Sequence, residues 1–178
     1  MGGWIDTTLA VIAENRAWTA PIAFLFAFGE TLALVSILIP STAILIGIGA
    51  LATTGAIDFA PLWLGAAGGA VAGSTLSWWL GRMFGDSMFS VWPLNRAPEN
   101  VGRGVALFRR WGPLAILIGH FFGPLRSVVF LLAGATGIGL LRFQLANLPA
   151  AMAWAYVVPK TGEIGGRIAG AIWQALGV

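Results

Sequence analysis

The chain has 178 residues, of which 58% are apolar, only 10% are charged and 25 are glycine. A soluble domain carries about 25% charged residues to cover its surface, so this chain's outer surface faces something other than water; disorder, which needs low hydrophobicity and high net charge, is excluded by the same figures. With no cysteine there is no disulfide framework, thiolate nucleophile or Cys-ligated metal centre, and the net charge of +3 is spread too thinly for a nucleic-acid binder.

A single integral membrane domain over 1–178 follows, with no cofactor, no metal and no nucleic-acid partner expected. Residues 1–16 carry Asp6 and Glu14 and lack a basic segment followed by a small-residue cleavage site, which argues against a removable signal peptide. Residues 17–29 are uncharged, Glu30 interrupts, and 31–57 are uncharged up to Asp58. Within 31–57, Pro40 followed by Gly47, Gly49 and Gly55 predicts a broken, re-entrant hairpin. Residues 59–81, uncharged up to Arg82, predict a spanning helix. On it Gly65, Gly69, Gly73, Ser77, Gly81 and Gly85 recur every four residues, a ridge that lets another helix approach closely.

Residues 82–110 hold Arg82, Asp86, Arg96, Glu99, Arg103, Arg109 and Arg110, with Pro93 and Pro98 among them. The arginines place this polar loop on the cytoplasmic side. Val101, Val105, Phe108 and Trp111 recur at helical spacing opposite Arg103, Arg109 and Arg110, predicting an amphipathic helix in the membrane interface. Two apolar runs then flank Arg126, 111–125 with His120 and 127–141 up to Arg142. Each is short for a span, and joined through Gly123, Pro124 and Arg126 they predict a second re-entrant hairpin. Residues 143–159 are apolar up to Lys160, and Gly162, Gly166 and Gly170 form a second ridge. Either ridge could instead face a second copy in a homodimer. Trp78, Trp79, Trp92, Trp111 and Trp154 fall near segment ends, where a headgroup-level belt is expected.

A displacement of 84 residues superposes Pro40 on Pro124, Ile44 and Leu45 on Val128 and Val129, Gly55 on Gly139, Phe59 on Phe143 and Gly81 on Gly165. The predicted fold is therefore an all-α membrane protein with an inverted repeat, each half a re-entrant helical hairpin followed by a transmembrane helix. Repeat one covers about 24–90, the loop with its interfacial helix about 86–111, and repeat two about 112–170. Asp58 would end the first hairpin outside and Arg142 the second inside. In such folds the working site lies at mid-membrane between broken segments.

Glu30 and Arg126 carry charge inside apolar runs, at a cost of roughly 2.5–3.5 kcal/mol each at a helix centre. They are expected to face the interior and to pair or bind. A buried Arg keeps its charge and offers a planar fork to phosphate, whereas Glu30 could carry a proton or act as a counter-ion. His120, the only histidine, shares the second hairpin with Arg126 and is either a hydrogen-bonded core residue or a titrating partner and second phosphate ligand.

The pattern F-G-E at 28–30 followed by I-P-S-T at 39–42 resembles the DedA family of bacterial membrane proteins. So do G-H-F-F-G-P-L-R at 119–126, A-G-A-T-G at 133–137, R-F-Q-L-A-N at 142–147 and Trp154, together with Gly81, Arg82 and Gly85. The resemblance covers about residues 24–170. It implies two inward-facing re-entrant hairpins, a multi-pass location in the bacterial inner membrane, and transport of lipids, as a flippase or scramblase of undecaprenyl phosphate or phospholipid. Proton coupling is proposed for some members. Glu30 matches the family's first acid and Arg126 its second arginine. Thr42 stands where a second acid is expected and His120 where a first arginine is expected, so coupling through an acid pair is in doubt. The candidate site is thus Arg126, His120 and Thr42 for a lipid phosphate, with Glu30 as proton carrier or counter-ion. The expected activity is transport rather than catalysis, with a proton-coupled carrier of a small solute or cation as the alternative.

Overall fold

A computed structural model of the chain describes residues 16–32, 41–51, 57–90, 95, 98–121 and 123–175, and among them all regular structure is helical. After a 3-10 turn at Arg16–Trp18, α1 runs Thr19–Thr31, α2 Ser41–Leu51 and α3 Phe59–Phe84. A 3-10 turn at Gly85–Ser90 follows, then α4 Pro98–Trp111, α5 Leu114–Gly119, α6 Gly123–Ala135 and α7 Leu140–Ala175. Among the described residues one helix, α3, is long and apolar enough to cross a membrane. Its 26 residues rise about 39 Å at 1.5 Å each, more than the roughly 30 Å of hydrocarbon. The six residues of α5 rise about 9 Å and the thirteen of α6 about 20 Å. Of the predicted first hairpin, 31–57, residues 33–40 and 52–56 lie outside the described residues, as does Trp92, and 41–51 form α2.

The small-residue ridge of α3 is used within the chain. A Cβ at Gly65 or Gly69 would collide with the backbone of Ala20 or Phe24, and one at Gly73 with Phe28 O and Thr31 Oγ1. Both numbers rise together, so α1 lies parallel to α3 at backbone contact. Thr31 then donates to Ala27 O at 2.8 Å, and Ser77 Oγ donates to Thr31 O at 3.1 Å, binding the end of α1 to the middle turns of α3. Further along, Gly81 meets the backbone of Leu131, and Gly134 meets that of Trp78. These pairs place the crossing of α6 over α3 at backbone contact.

Of the second ridge, Gly162 packs on the backbone of Ile46, and Gly49 of α2 in turn on that of Pro159, so α2 and α7 cross at backbone contact. The displacement of 84 residues carries α2 onto 125–135 in α6, and α3 onto 143–168 in α7. The short helix of each half therefore packs on the long helix of the other half, through glycine both times.

The amphipathic segment is helical as expected: α4 begins at Pro98, whose missing N–H costs nothing in a first turn, with Glu99 near its start and Arg109 and Arg110 near its end, favourable for the helix dipole. Gly112, with φ of 53°, turns the chain out of it, and Gly137, with φ of 79°, separates α6 from α7. Val105 and Phe108 pack on Val128, Leu131 and Leu132 of α6, while Arg103, Arg109 and Arg110 are exposed. The apolar face of α4 thus covers another helix. Trp111 departs from that face: it is exposed, with the Arg110 guanidinium 5.5 Å from its ring centre.

Two expected belt tryptophans are interior residues. Trp78 is buried on Phe143 and donates from Nε1 to Ile138 O at 3.1 Å, and Trp154 is buried in the core shared by α1, α2, α3 and α7. Their nearness to segment ends misled because an indole N–H that finds a carbonyl, or a ring that finds a cation, is as well placed inside as at a headgroup. Trp79 is exposed, as a belt residue is.

Candidate functional site

The core contains an ion pair between Glu30 of α1 and the Nη2 of Arg126 in the first turn of α6, with side chains 5% and 2% exposed. Each charge occupies the helix end that disfavours it. A carboxylate near the C-terminus of α1 adds to the negative end of that helix dipole, and a guanidinium at the N-terminus of α6 adds to the positive end of its own. The two ends attract one another across the gap, so each charge depends on the other. The Trp154 ring lies beneath the guanidinium, 4.9 Å from Cζ, and supplies a cation–π contact in a dry setting.

Arg126 Nε has no hydrogen-bond partner among the described residues. A buried guanidinium N–H left over after the ion pair is a donor in want of an acceptor. The first turn of α6 adds backbone N–H groups that have no partner within the helix. Donors and positive potential are therefore gathered on one side of the Glu30 carboxylate, an arrangement suited to an anion.

His120 closes α5 and is fully buried, its ring 4.8 Å from that of Phe130. Its Nε2 lies 2.9 Å from Asn147 Oδ1, Asn147 Nδ2 donates to Gln144 Oε1 at 2.9 Å, and Gln144 Nε2 donates to Thr75 Oγ1 at 2.7 Å. The Arg126 charge acts on the His120 ring through space. Glu30, His120 and Arg126 are thus all interior. Thr42 falls in the first turn of α2, and its side chain lies outside the described residues.

Sequence reasoning named the three ionisable members but passed over Thr75 and Gln144, took Asn147 only as part of a motif, and put Trp154 at the surface. The signal available was three uncharged polar residues within apolar runs, with Gln144 and Asn147 three apart on one face of α7. Elsewhere, Glu163 near the end of α7 is held by Lys160 at 2.5 Å and Arg167 at 2.7 Å. Among the described residues no group of three His, Cys, Asp or Glu could hold a metal.

A family model, the VTT domain, matches residues 39–163. The inner membrane protein YabI of Escherichia coli is 28% identical over 143 residues, covering 80% of this chain and 56% of that protein. The inner membrane protein YghB of the same organism is 32% identical over 125 residues, covering 70% and 57%. An uncharacterized membrane protein of Buchnera aphidicola is 25% identical over 154 residues, covering 86% and 60%. The chain therefore spans less than two thirds of the length of these relatives. No solved structure matches it. With the match over most of its length and membrane proteins as its relatives, the chain belongs to the VTT-domain, or DedA, family of membrane proteins.

Proposed function

We propose that the chain moves a phosphate-bearing lipid, undecaprenyl phosphate or a phospholipid, across the bacterial inner membrane. The observation that carries this is Arg126: a fully buried guanidinium whose counter-ion, Glu30, belongs to a different helix and which keeps one N–H unpartnered among the described residues. A lipid phosphate can replace the Glu30 carboxylate on the planar fork without leaving the guanidinium bare, since it exchanges one anion for another. Glu30, released, takes a proton or follows the headgroup. His120 and Thr42 complete the phosphate site, and the lipid tail stays in the bilayer.

The fold supports this. α5 and α6 are each shorter than the hydrocarbon core, as limbs of a re-entrant hairpin must be. The packing of α2 on α7 and of α6 on α3 joins the short helix of each proposed repeat to the long helix of the other. Thr31, next to Glu30, is hydrogen-bonded to Ser77 within α3, so the acid side of the pair lies along the long apolar helix rather than beyond its ends.

The test is transbilayer movement of labelled undecaprenyl phosphate and of a phospholipid in proteoliposomes. Wild type should accelerate one or both. Arg126→Ala should abolish movement and Arg126→Lys, which keeps charge but loses the fork, should reduce it at least tenfold while inserting normally. Movement equal to that in empty liposomes, with and without a pH gradient, would overturn the reading. The direct Glu30–Arg126 pair is also what a proton-coupled carrier of a small solute or cation would use, and strict dependence of solute uptake on a pH gradient would select it.

A further inference from the structure

Thr75 settles the orientation of the whole polar chain that ends on His120. Its hydroxyl has one proton, and Thr75 Oγ1 donates it to Val71 O at 2.6 Å. Toward Gln144 it can therefore only accept, so Gln144 must present its Nε2 to Thr75 and its Oε1 to Asn147. Asn147 must then present Nδ2 to Gln144 and Oδ1 to His120. An amide oxygen accepts only, so the His120 Nε2 it faces carries the proton. In the neutral ring Nδ1 is then a bare acceptor. That atom is buried and has no hydrogen-bond partner among the described residues.

A buried acceptor left without a donor costs about 1–3 kcal/mol, and a chain of three side chains that enforces this state calls for a reason. Among the described side chains of the second hairpin, the buried groups without a hydrogen-bond partner are one donor, Arg126 Nε, and one acceptor, His120 Nδ1. An anion with no hydrogen of its own satisfies the first and not the second. A phosphate that carries one O–H satisfies both.

Resting on the lipid-phosphate reading above, we infer that Thr75, Gln144 and Asn147 are positioning residues that hold His120 as a neutral acceptor, so that Nδ1 takes the O–H of a monoprotonated phosphate monoester bound at Arg126. The site thereby discriminates against phosphodiesters whose headgroup has no donor. No bond is made or broken; one hydrogen bond is offered or refused.

Because His120 is the only histidine in the chain, labelling histidine with 15N gives a spectrum of one imidazole. In phosphatidylcholine nanodiscs the wild type should show a protonated Nε2 and a bare Nδ1. Phosphatidic acid, a monoester, should shift the Nδ1 resonance, and phosphatidylmethanol, its diester without a headgroup donor, should leave it in place. A shift with inorganic phosphate as well would assign the contact to the headgroup alone. Thr75→Val, which removes the anchor at constant shape, should give a mixture of tautomers and reduce the phosphatidic acid shift at least threefold; Thr75→Ser should restore both. A wild-type ring protonated on Nδ1 or on both nitrogens overturns the proposal, as does an equal response to the two lipids or a Thr75→Val spectrum identical to wild type. The spectra do not depend on transport. The expected shifts without lipid movement would sink the transport reading and leave the relay standing, whereas movement of both lipids with a silent Nδ1 would do the reverse.

Discussion

At the scale of single residues the decisive fact is that Glu30 and Arg126 are each other's solvent. Removing one partner of a buried pair strands the other, at about 3–5 kcal/mol, whereas replacing both by apolar groups of similar volume can be neutral. Glu30→Ala should therefore lower unfolding stability in mixed micelles by roughly that amount, and the double variant Glu30→Met with Arg126→Met should recover most of the loss. Equal destabilisation by single and double variants would mean that the pair matters through shape rather than charge. The two residues were legible in the sequence because a charge inside a long apolar run has few explanations. That they could pair was among the expectations; which helix ends would bring them together was not, since that depends on how α1 and α6 lie across α3. Trp154 was misplaced for the same reason: an indole near a segment end looks alike whether a headgroup or a guanidinium lies beside its ring.

Helices in this chain meet through missing side chains, and here periodicity was a sound guide. The four-residue step of Gly65, Gly69 and Gly73 predicted a face for close approach, and α1 occupies it. The identity of the partner was not readable, because a ridge of glycine specifies only nearness. The neighbouring Gly68 is an internal control: a Cβ there meets only the Phe24 side chain, at 3.5 Å, an ordinary contact. Gly69→Ala should destabilise by about 1–3 kcal/mol, the usual cost of overpacking, because the obstacle is backbone. Gly68→Ala should leave unfolding in mixed micelles unchanged or slightly improved, since alanine is the better helix former. If both substitutions are equally tolerated, α1 does not sit against α3 at backbone distance.

Over the whole molecule, the proposed arrangement is two similar halves in opposite orientations. Sequence repetition suggested this, and the glycine contacts pair the short helix of each proposed repeat with the long helix of the other, α2 with α7 and α6 with α3. If the halves are inverted, α3 carries the chain from one side at Asp58 to the other at Ser90, and the second hairpin begins and ends on that second side, leaving Arg142 there. Were the second hairpin instead a full crossing, Arg142 would lie on the side of Asp58. The chain has no cysteine, so single variants Asp58→Cys, Ser90→Cys and Arg142→Cys report without background, and all three positions are exposed. In oriented vesicles a membrane-impermeant maleimide should label Ser90→Cys and Arg142→Cys from one face and Asp58→Cys only from the other. Labelling of Arg142→Cys together with Asp58→Cys would make the second hairpin a crossing, remove the re-entrant tip that presents Arg126, and leave the lipid path without the break in the membrane that it requires.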